Sequence, residues 1–120
     1  MIARIWLPGV EVESKQHSRS YTRTGRTFTN TQYASARRAI GLMVLVELRK
    51  QKWFEPVECK CSMILSYRGR FDLDNAAGFI MDALQGIAYV RDSQIISIHI
   101  RKRLKGPMGV KIFIRTLEVK

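Results

Sequence analysis

The sequence predicts a small α+β domain over residues 1–120, a mixed β-sheet with two main helices packed on it in the order β-α-β-α-β-β. Three observations lead to this prediction. Isoleucines at positions 96, 98 and 100 alternate with polar residues, which is typical of a strand with one buried face. Two other stretches carry apolar residues at helical spacing. A chain of 120 residues is long enough for one modest core and too short for two.

The first half of the chain predicts a strand, a long loop and a helix. The apolar stretch from Ile2 to Leu7 predicts a short strand that ends at Pro8 and Gly9. Residues 11–30 are polar and indicate a loop, and loops of this length are usually functional or mobile. A helix is expected from about residue 30 or 31 to about residue 51. Its apolar face is formed by Tyr33, Ala36, Ile40, Met43 and Val44.

The second half predicts a strand, a helix and a β-hairpin. The strand is expected from Pro56 to about Tyr67, and the helix over residues 75–85. The isoleucine strand follows, and the turn "KGPMG" joins it to "VKIFIRTLEV", its expected hairpin partner. Both cysteines, Cys59 and Cys61, lie on one face of the first of these strands. They are expected to be buried, reduced thiols of a cytoplasmic protein.

The charge balance indicates a polyanionic partner. The chain has 21 Lys and Arg against 10 Asp and Glu, a net charge of +11 and a pI near 10.3. Such a protein attracts nucleic acid or an anionic membrane surface. The longest apolar run, from Leu42 to Val46, is far too short to cross a membrane. Nucleic acid is therefore the expected partner, and no membrane association is expected. The apolar run is one candidate for a subunit interface, although core packing is the favoured use.

The negative charge is concentrated in one stretch. Between residues 71 and 92, four aspartates face a single arginine, so this stretch has a net charge of −3 and the remainder +14. If the isoleucine strand pairs beside the strand ending near Tyr67, Asp92 returns close to Asp72 and Asp74. Carboxylates 4 Å apart repel by roughly 1–4 kcal/mol per pair, and either raised pKa values or a bound divalent cation relieves this repulsion. Oxygen ligands favour Mg²⁺, with Mn²⁺ as a substitute. Alternatively, these aspartates are only a helix cap and a turn.

The same residues resemble a known family. "FDLDN", "FIMDAL" and "RDSQI" are similar in order and spacing to the RusA family of crossover junction endodeoxyribonucleases, and "GRTFTNTQYASARRAI" adds a weaker similarity. The resemblance implies a homodimeric, Mg²⁺-dependent nuclease of a bacterial or phage-infected cytoplasm that resolves four-way (Holliday) junctions by paired nicks. It also implies that Asp72, Asp74 and Asp92 are the catalytic metal ligands.

Two positions depart from the pattern of that family. Gly78 replaces a lysine, and Arg91 replaces the first aspartate of a D-D-x-Q segment. A lysine one turn after Asp74 would face the same way and help to neutralise a phosphate. The alternative is therefore a protein of the same fold that binds branched DNA and cuts it weakly or not at all. A small RNA-binding protein is a third interpretation, suggested by charge alone.

The basic residues predict where DNA binds. Four of them lie in the long loop, where basic residues mixed with aromatic ones suit contacts to backbone and unpaired bases. The alternative is a solvated loop whose aromatic residues pack on the core. Two more flank the acidic pair, and one precedes Asp92. The predicted DNA-binding residues are Lys15, Arg19, Arg23, Arg26, Arg68, Arg70 and Arg91.

Overall fold

A computed structural model of the protein shows a four-stranded mixed sheet with two helices, which confirms the predicted α+β class and element order. The structure describes residues 1–14, 19–21, 27–29, 31–54, 56, 58–68 and 72–117. A short antiparallel pair of strands lies within the segment predicted to be a loop. The strands are β1 (Ile2–Pro8), β2 (Arg19–Tyr21), β3 (Thr27–Thr29), β4 (Cys59–Ser66), β5 (Ile95–Lys102) and β6 (Gly109–Thr116), and the helices are α1 (Thr31–Lys50) and α2 (Leu73–Leu84).

The order of strands in the sheet is β1-β6-β4-β5. Strand β6 is antiparallel to both of its neighbours, whereas β5 is parallel to β4 and connected to it through α2. The predicted β5–β6 hairpin is therefore wrong. Strand β6 carries Val110, Ile112 and Ile114 on one face, all fully buried. A central position buries this face completely between β1 and β4, which an edge position beyond β5 would not do.

Both helices pack on one face of the sheet. Helix α1 contacts β1, and α2 contacts β4 and β5. Tyr33, Ile40 and Val44 are buried as predicted, but Met43 is 41% exposed. The reason is a close approach at Gly41, where a Cβ atom would lie 3.2 Å from the backbone oxygen of Ala83 in α2 and 2.7 Å from Ile87 Cδ1. Because Gly41 faces α2, Met43 turns towards solvent. Most of the apolar run that includes Met43 is exposed as well, contrary to the expected core role, with Leu42 at 56% and Val46 at 52%.

Strand β5 is less buried than its sequence predicts. Ile100 is half-buried, but Ile98 is 38% and Ile96 51% exposed. Cross-strand pairing of Ile98 with buried Cys61 places this side chain on the helix-covered face. Since β5 is the edge strand of the sheet, α2 does not cover Ile96 and Ile98, near the start of this strand. The protein thus has an exposed apolar strip along one edge.

The opposite edge, β1, is capped by a side chain. Gln51 follows α1, and its amide accepts from Arg4 N at 2.9 Å and donates to Arg4 O at 2.8 Å. This pairing satisfies backbone groups that an edge strand otherwise leaves free. The two buried cysteines are unpaired thiols, as predicted. In the described parts of the chain, no helix has the length and apolarity needed to cross a bilayer.

Candidate active site at the N-terminus of helix α2

Asp72 and Asp74 lie where the chain leaves β4 and enters α2. Asp72 is the N-cap residue, with extended backbone angles (φ −66°, ψ 151°), and Asp74 lies in the first helical turn. The helix thus begins two residues earlier than predicted. The Asp72 side chain makes no capping hydrogen bond, and both aspartates are exposed. A simple cap therefore does not account for Asp72, and the helix N-terminus favours negative charge at both positions.

Tyr67 connects this acidic pair to the sheet. Burial raises the pKa of Tyr67, and the negative charges of Asp72 and Asp74 raise it further, which shows that both carboxylates lie near one phenol. The ammonium group of Lys102 lies 4.2 Å from the centroid of the same ring. This contact fixes a cation from β5 beside the end of β4.

A basic groove opens at this end of the sheet. Its volume is about 420 Å³, and three cationic side chains, Arg68, Lys102 and Arg103, line it together with the turn before β6. Arg68 is one of the predicted DNA-binding residues, whereas Lys102 and Arg103 are not among them. Sequence patterns missed their contribution because it depends on β5 running parallel to β4, which brings the ends of both strands together.

Asp92 lies elsewhere. It starts a short 3-10 turn, Asp92–Gln94, immediately before β5. The side-chain amide of Gln85 is oriented with its NH₂ group towards Asp92, and this group donates to both carboxylate oxygens of Asp92 at 3.2 Å. The Tyr89 hydroxyl donates to Met81 O at 3.0 Å. Burial raises the pKa of Tyr89, and the charge of Asp92 raises it further. Asp92 is thus held at the C-terminal end of α2, next to its C-cap residue, Gln85.

The prediction that Asp92 returns to Asp72 and Asp74 within one chain is wrong. The strands pair as expected, but in parallel, with the start of β5 beside the start of β4. Asp92 therefore lies at the opposite end of α2 from the acidic pair, and a rise of 1.5 Å per residue separates Asp72 from Gln85 by roughly 20 Å. Consistently, the described residues contain no group of three His, Cys, Asp or Glu side chains that could hold a metal ion. The catalytic assignment of the three aspartates stays a prediction.

Gln94 and Arg91 flank Asp92 in the same turn. Gln94 Oε1 accepts from the backbone amides of Val90 at 2.7 Å and Arg91 at 2.9 Å, and Gln94 Nε2 donates to Pro56 O at 2.7 Å. Gln94 therefore fixes the turn that carries Asp92. Arg91 is exposed and lies at the same end, so within one chain it does not supply the charge that is missing at Gly78.

The other predicted DNA-binding residues have less structural description. Arg19 lies in β2, where only the backbone is described. The remaining four, Lys15, Arg23, Arg26 and Arg70, lie outside the described residues.

Comparison with known families agrees with the resemblance seen in the motifs. A sequence model of the family described as Endodeoxyribonuclease RusA matches residues 9–115. No curated protein is a match to the chain. The matched range includes both acidic positions, the basic groove and all strands except β1 and the last residue of β6. The chain therefore belongs to the RusA endodeoxyribonuclease family.

Proposed function

We propose that this protein is a Mg²⁺-dependent endodeoxyribonuclease that resolves four-way DNA junctions by paired nicks. The observation that carries the proposal is the position of Asp72 and Asp74 beside a groove lined by three cations. Both aspartates are exposed, and the Asp72 side chain makes no capping hydrogen bond. The family match supplies the nuclease class. The groove and the acidic pair together supply what phosphodiester hydrolysis requires of the protein, namely cations that would hold a phosphate next to carboxylates that would hold a metal ion.

The donor set suits magnesium. Mg²⁺ is usually bound through one or two carboxylates together with water and substrate phosphate oxygens. Asp72 and Asp74 supply two such carboxylates near Tyr67. When bound, the ion supplies an activated water and charge stabilisation for the leaving oxygen. The protein's own groups position the substrate, because Arg68, Lys102 and Arg103 line the groove where the phosphate backbone would lie.

A homodimer would bring the third carboxylate to this pair. Strand β5 ends the sheet, and among the described residues no strand pairs with its outer edge. Ile96 and Ile98 expose apolar surface along that edge. A second copy of the chain is the occupant that fits it, since two identical edges can pair antiparallel about a two-fold axis. The two-fold symmetry of such a dimer also matches that of a four-way junction.

Antiparallel pairing of the two β5 strands has a direct consequence for the site. The start of one β5, which carries Asp92, would lie beside the end of the other β5. That end carries Lys102, whose ammonium group rests on Tyr67 near Asp72 and Asp74. Each site would then combine two aspartates of one subunit with the partner subunit's Asp92. This arrangement reconciles the separation of the carboxylates within one chain with the three-carboxylate site that the family resemblance implies.

The test is cleavage of a synthetic four-way junction with each strand labelled in turn. We expect nicks in two opposing strands with Mg²⁺ or Mn²⁺ and none in EDTA. Asp74→Asn should abolish nicking while junction binding persists. Glu47→Gln removes a carboxylate from the partly exposed surface of α1, where Glu47 pairs with Lys50 at 3.3 Å, and should leave nicking unchanged. Absence of cleavage with both metals would contradict the proposal.

A second candidate function is junction binding without cleavage. It is favoured by Gly78, which leaves the helix face next to Asp74 without the lysine of the family pattern. This candidate predicts salt-sensitive binding of the junction and no turnover. A nick that depends on added metal ion would eliminate it.

A further inference from the structure

The side of the sheet opposite the helices carries a second basic surface. In β1, β4, β5 and β6, side chains that alternate with the buried ones point to this side, here called the open face. Five of them are cations, and none of the four strands contains Asp or Glu. The basic side chains of the open face are Arg4, Lys60, Arg101, Lys111 and Arg115.

Strand pairing places the cations in rows across the sheet. Lys60 lies directly opposite Arg115, and Lys111 lies between Trp6 and Ile64, the latter paired with Arg101. Like charges in directly opposed positions of an antiparallel pair are destabilising. None of the five forms an ion pair with a described carboxylate. No carboxylate of the described residues therefore relieves the Lys60–Arg115 repulsion, which is expected where a polyanion is the natural partner.

One aromatic ring of the open face lies along the sheet. The Trp6 ring lies against β6, since a Cβ atom on Gly109 would approach that ring within 2.6 Å. Lys111 Nζ lies 5.5 Å from the ring centroid. The tryptophan thus lies along the sheet instead of projecting from it as a wedge between bases. Four strands spaced by about 4.8 Å give a platform roughly 14 Å wide, and eight residues give a length of roughly 26 Å.

We infer that the open face binds the phosphate backbone of a duplex DNA arm, outside the active site. This inference rests on the proposed function, which makes branched DNA the substrate. The observations that carry it are five cations on four strands that contain no Asp or Glu, and a tryptophan ring that lies along the sheet, which suits a duplex more than splayed bases. If two copies join through β5, their two-fold axis runs perpendicular to the sheet. Both open faces then lie on the same side and hold two arms.

The experiment compares two double variants of equal charge. Lys60→Ala with Arg115→Ala removes the facing pair, and Arg38→Ala with Arg49→Ala removes two exposed cations from α1. Binding to a four-way junction and to a linear duplex of the same arm sequence is measured in EDTA by fluorescence anisotropy at several salt concentrations. Loss of two phosphate contacts lowers the slope of log K against log salt by about 1.8.

We expect this decrease, with roughly tenfold or greater loss of affinity at low salt, only for Lys60→Ala with Arg115→Ala. Its melting temperature should not fall, because a repulsive pair is removed. Its nicking rate at saturating protein should match that of the wild type. Unchanged affinity and salt slope in this variant would overturn the inference. So would tighter binding of an RNA duplex of the same sequence, or an equal effect of the α1 variant.

The outcomes separate the open face from the active site. A wild-type protein that binds junctions through Lys60 and Arg115 but never nicks them supports the open face and contradicts the proposed nuclease function. A protein that nicks junctions with full activity and binds them independently of Lys60 and Arg115 supports the proposed nuclease function and contradicts the open-face inference.

Discussion

Asp72 and Asp92 lie at opposite ends of α2: Asp72 is the N-cap residue, and Asp92 accepts hydrogen bonds from Gln85 at the C-cap. A helix of this length separates them by roughly 20 Å. A single ion cannot bridge that distance, because Mg²⁺ binds its oxygen ligands at about 2.1 Å. If all three aspartates serve one site, the site is built from two chains.

This geometry predicts that two inactive variants restore each other. In a dimer with shared sites, Asp74→Asn and Asp92→Asn mixed as a heterodimer leave one site with all three native aspartates and one site with two defects. After equimolar mixing and subunit exchange, half of the dimers are mixed, so we expect about a quarter of wild-type nicking. The measurement is junction cleavage by each variant alone and by the mixture.

The control for complementation is a mixture of Asp72→Asn with Asp74→Asn. Both changes affect the same half of the site, so no combination of subunits contains a native site and no activity should return. Persistent inactivity of the Asp74→Asn and Asp92→Asn mixture, despite demonstrated subunit exchange, would rule out shared sites.

The buried thiols predict a pH dependence of stability and a low reactivity. Burial raises the pKa of Cys61 to about 12, with a smaller contribution from Cys59. The unfolded thiol ionises near pH 8.5, so the folded state is disfavoured progressively above that pH, by about 1.4 kcal/mol per pH unit until the folded pKa is reached. Alkylation of Cys61 at pH 9, followed by mass spectrometry in a Cys59→Ser background, should be roughly several hundred-fold slower than after unfolding. Equal rates would contradict this prediction.

The contact between the helices predicts a measurable coupling energy. Tyr33 Oη donates to Asp82 Oδ2 at 2.6 Å, and the Tyr33 ring packs edge-on against Phe79 with centroids 5.3 Å apart. Tyr33→Phe keeps the ring contact and removes the donor, so unfolding free energy should fall by about 1.5–3 kcal/mol, as for hydrogen bonds to charged groups. Urea denaturation of Tyr33→Phe, Asp82→Ala and the double variant gives the coupling. Additive losses would mean that the hydrogen bond contributes nothing.

Sequence periodicity predicted the helices and strands well, because the spacing of apolar residues within each element shows which of its faces is buried. The helical stripe of α2 and the buried faces of β4 and β6 needed only local patterns. Strand order did not follow from such patterns. The turn before β6 suggested a hairpin with β5, whereas the greater apolar content of the β6 face gives it the central position. That outcome depends on total burial in the folded sheet, which no single segment encodes.

The candidate site was predictable in part for the same reason. Asp72 and Asp74 are separated by a single residue in the sequence, so their proximity followed from the motif alone. The position of Asp92 depended on the direction of β5, because reversing a strand exchanges its two ends. Parallel pairing moved Asp92 away from the pair and brought Lys102 towards it. The order strand, helix, strand from β4 through α2 to β5 is typical of a parallel βαβ crossover. This order could have predicted the positions of both Asp92 and Lys102.

Gly78 provides the sharpest test of catalytic competence. It lies in α2, four residues after Asp74, so its side-chain position faces the same way at a distance of about 6 Å. A lysine there would bring a positive charge to the phosphate next to Asp72 and Asp74. We expect Gly78→Lys to raise the single-turnover nicking rate roughly tenfold, equivalent to about 1.4 kcal/mol of transition-state stabilisation. The matched control is Gly78→Ala, which should stabilise the helix by about 1 kcal/mol without changing the nicking rate.

The stability of both Gly78 variants is measured by thermal unfolding, and their nicking rate with a labelled junction at saturating protein. Equal rates for the lysine and alanine variants would show that the charge has no role at this position, and that any gain comes from a firmer helix.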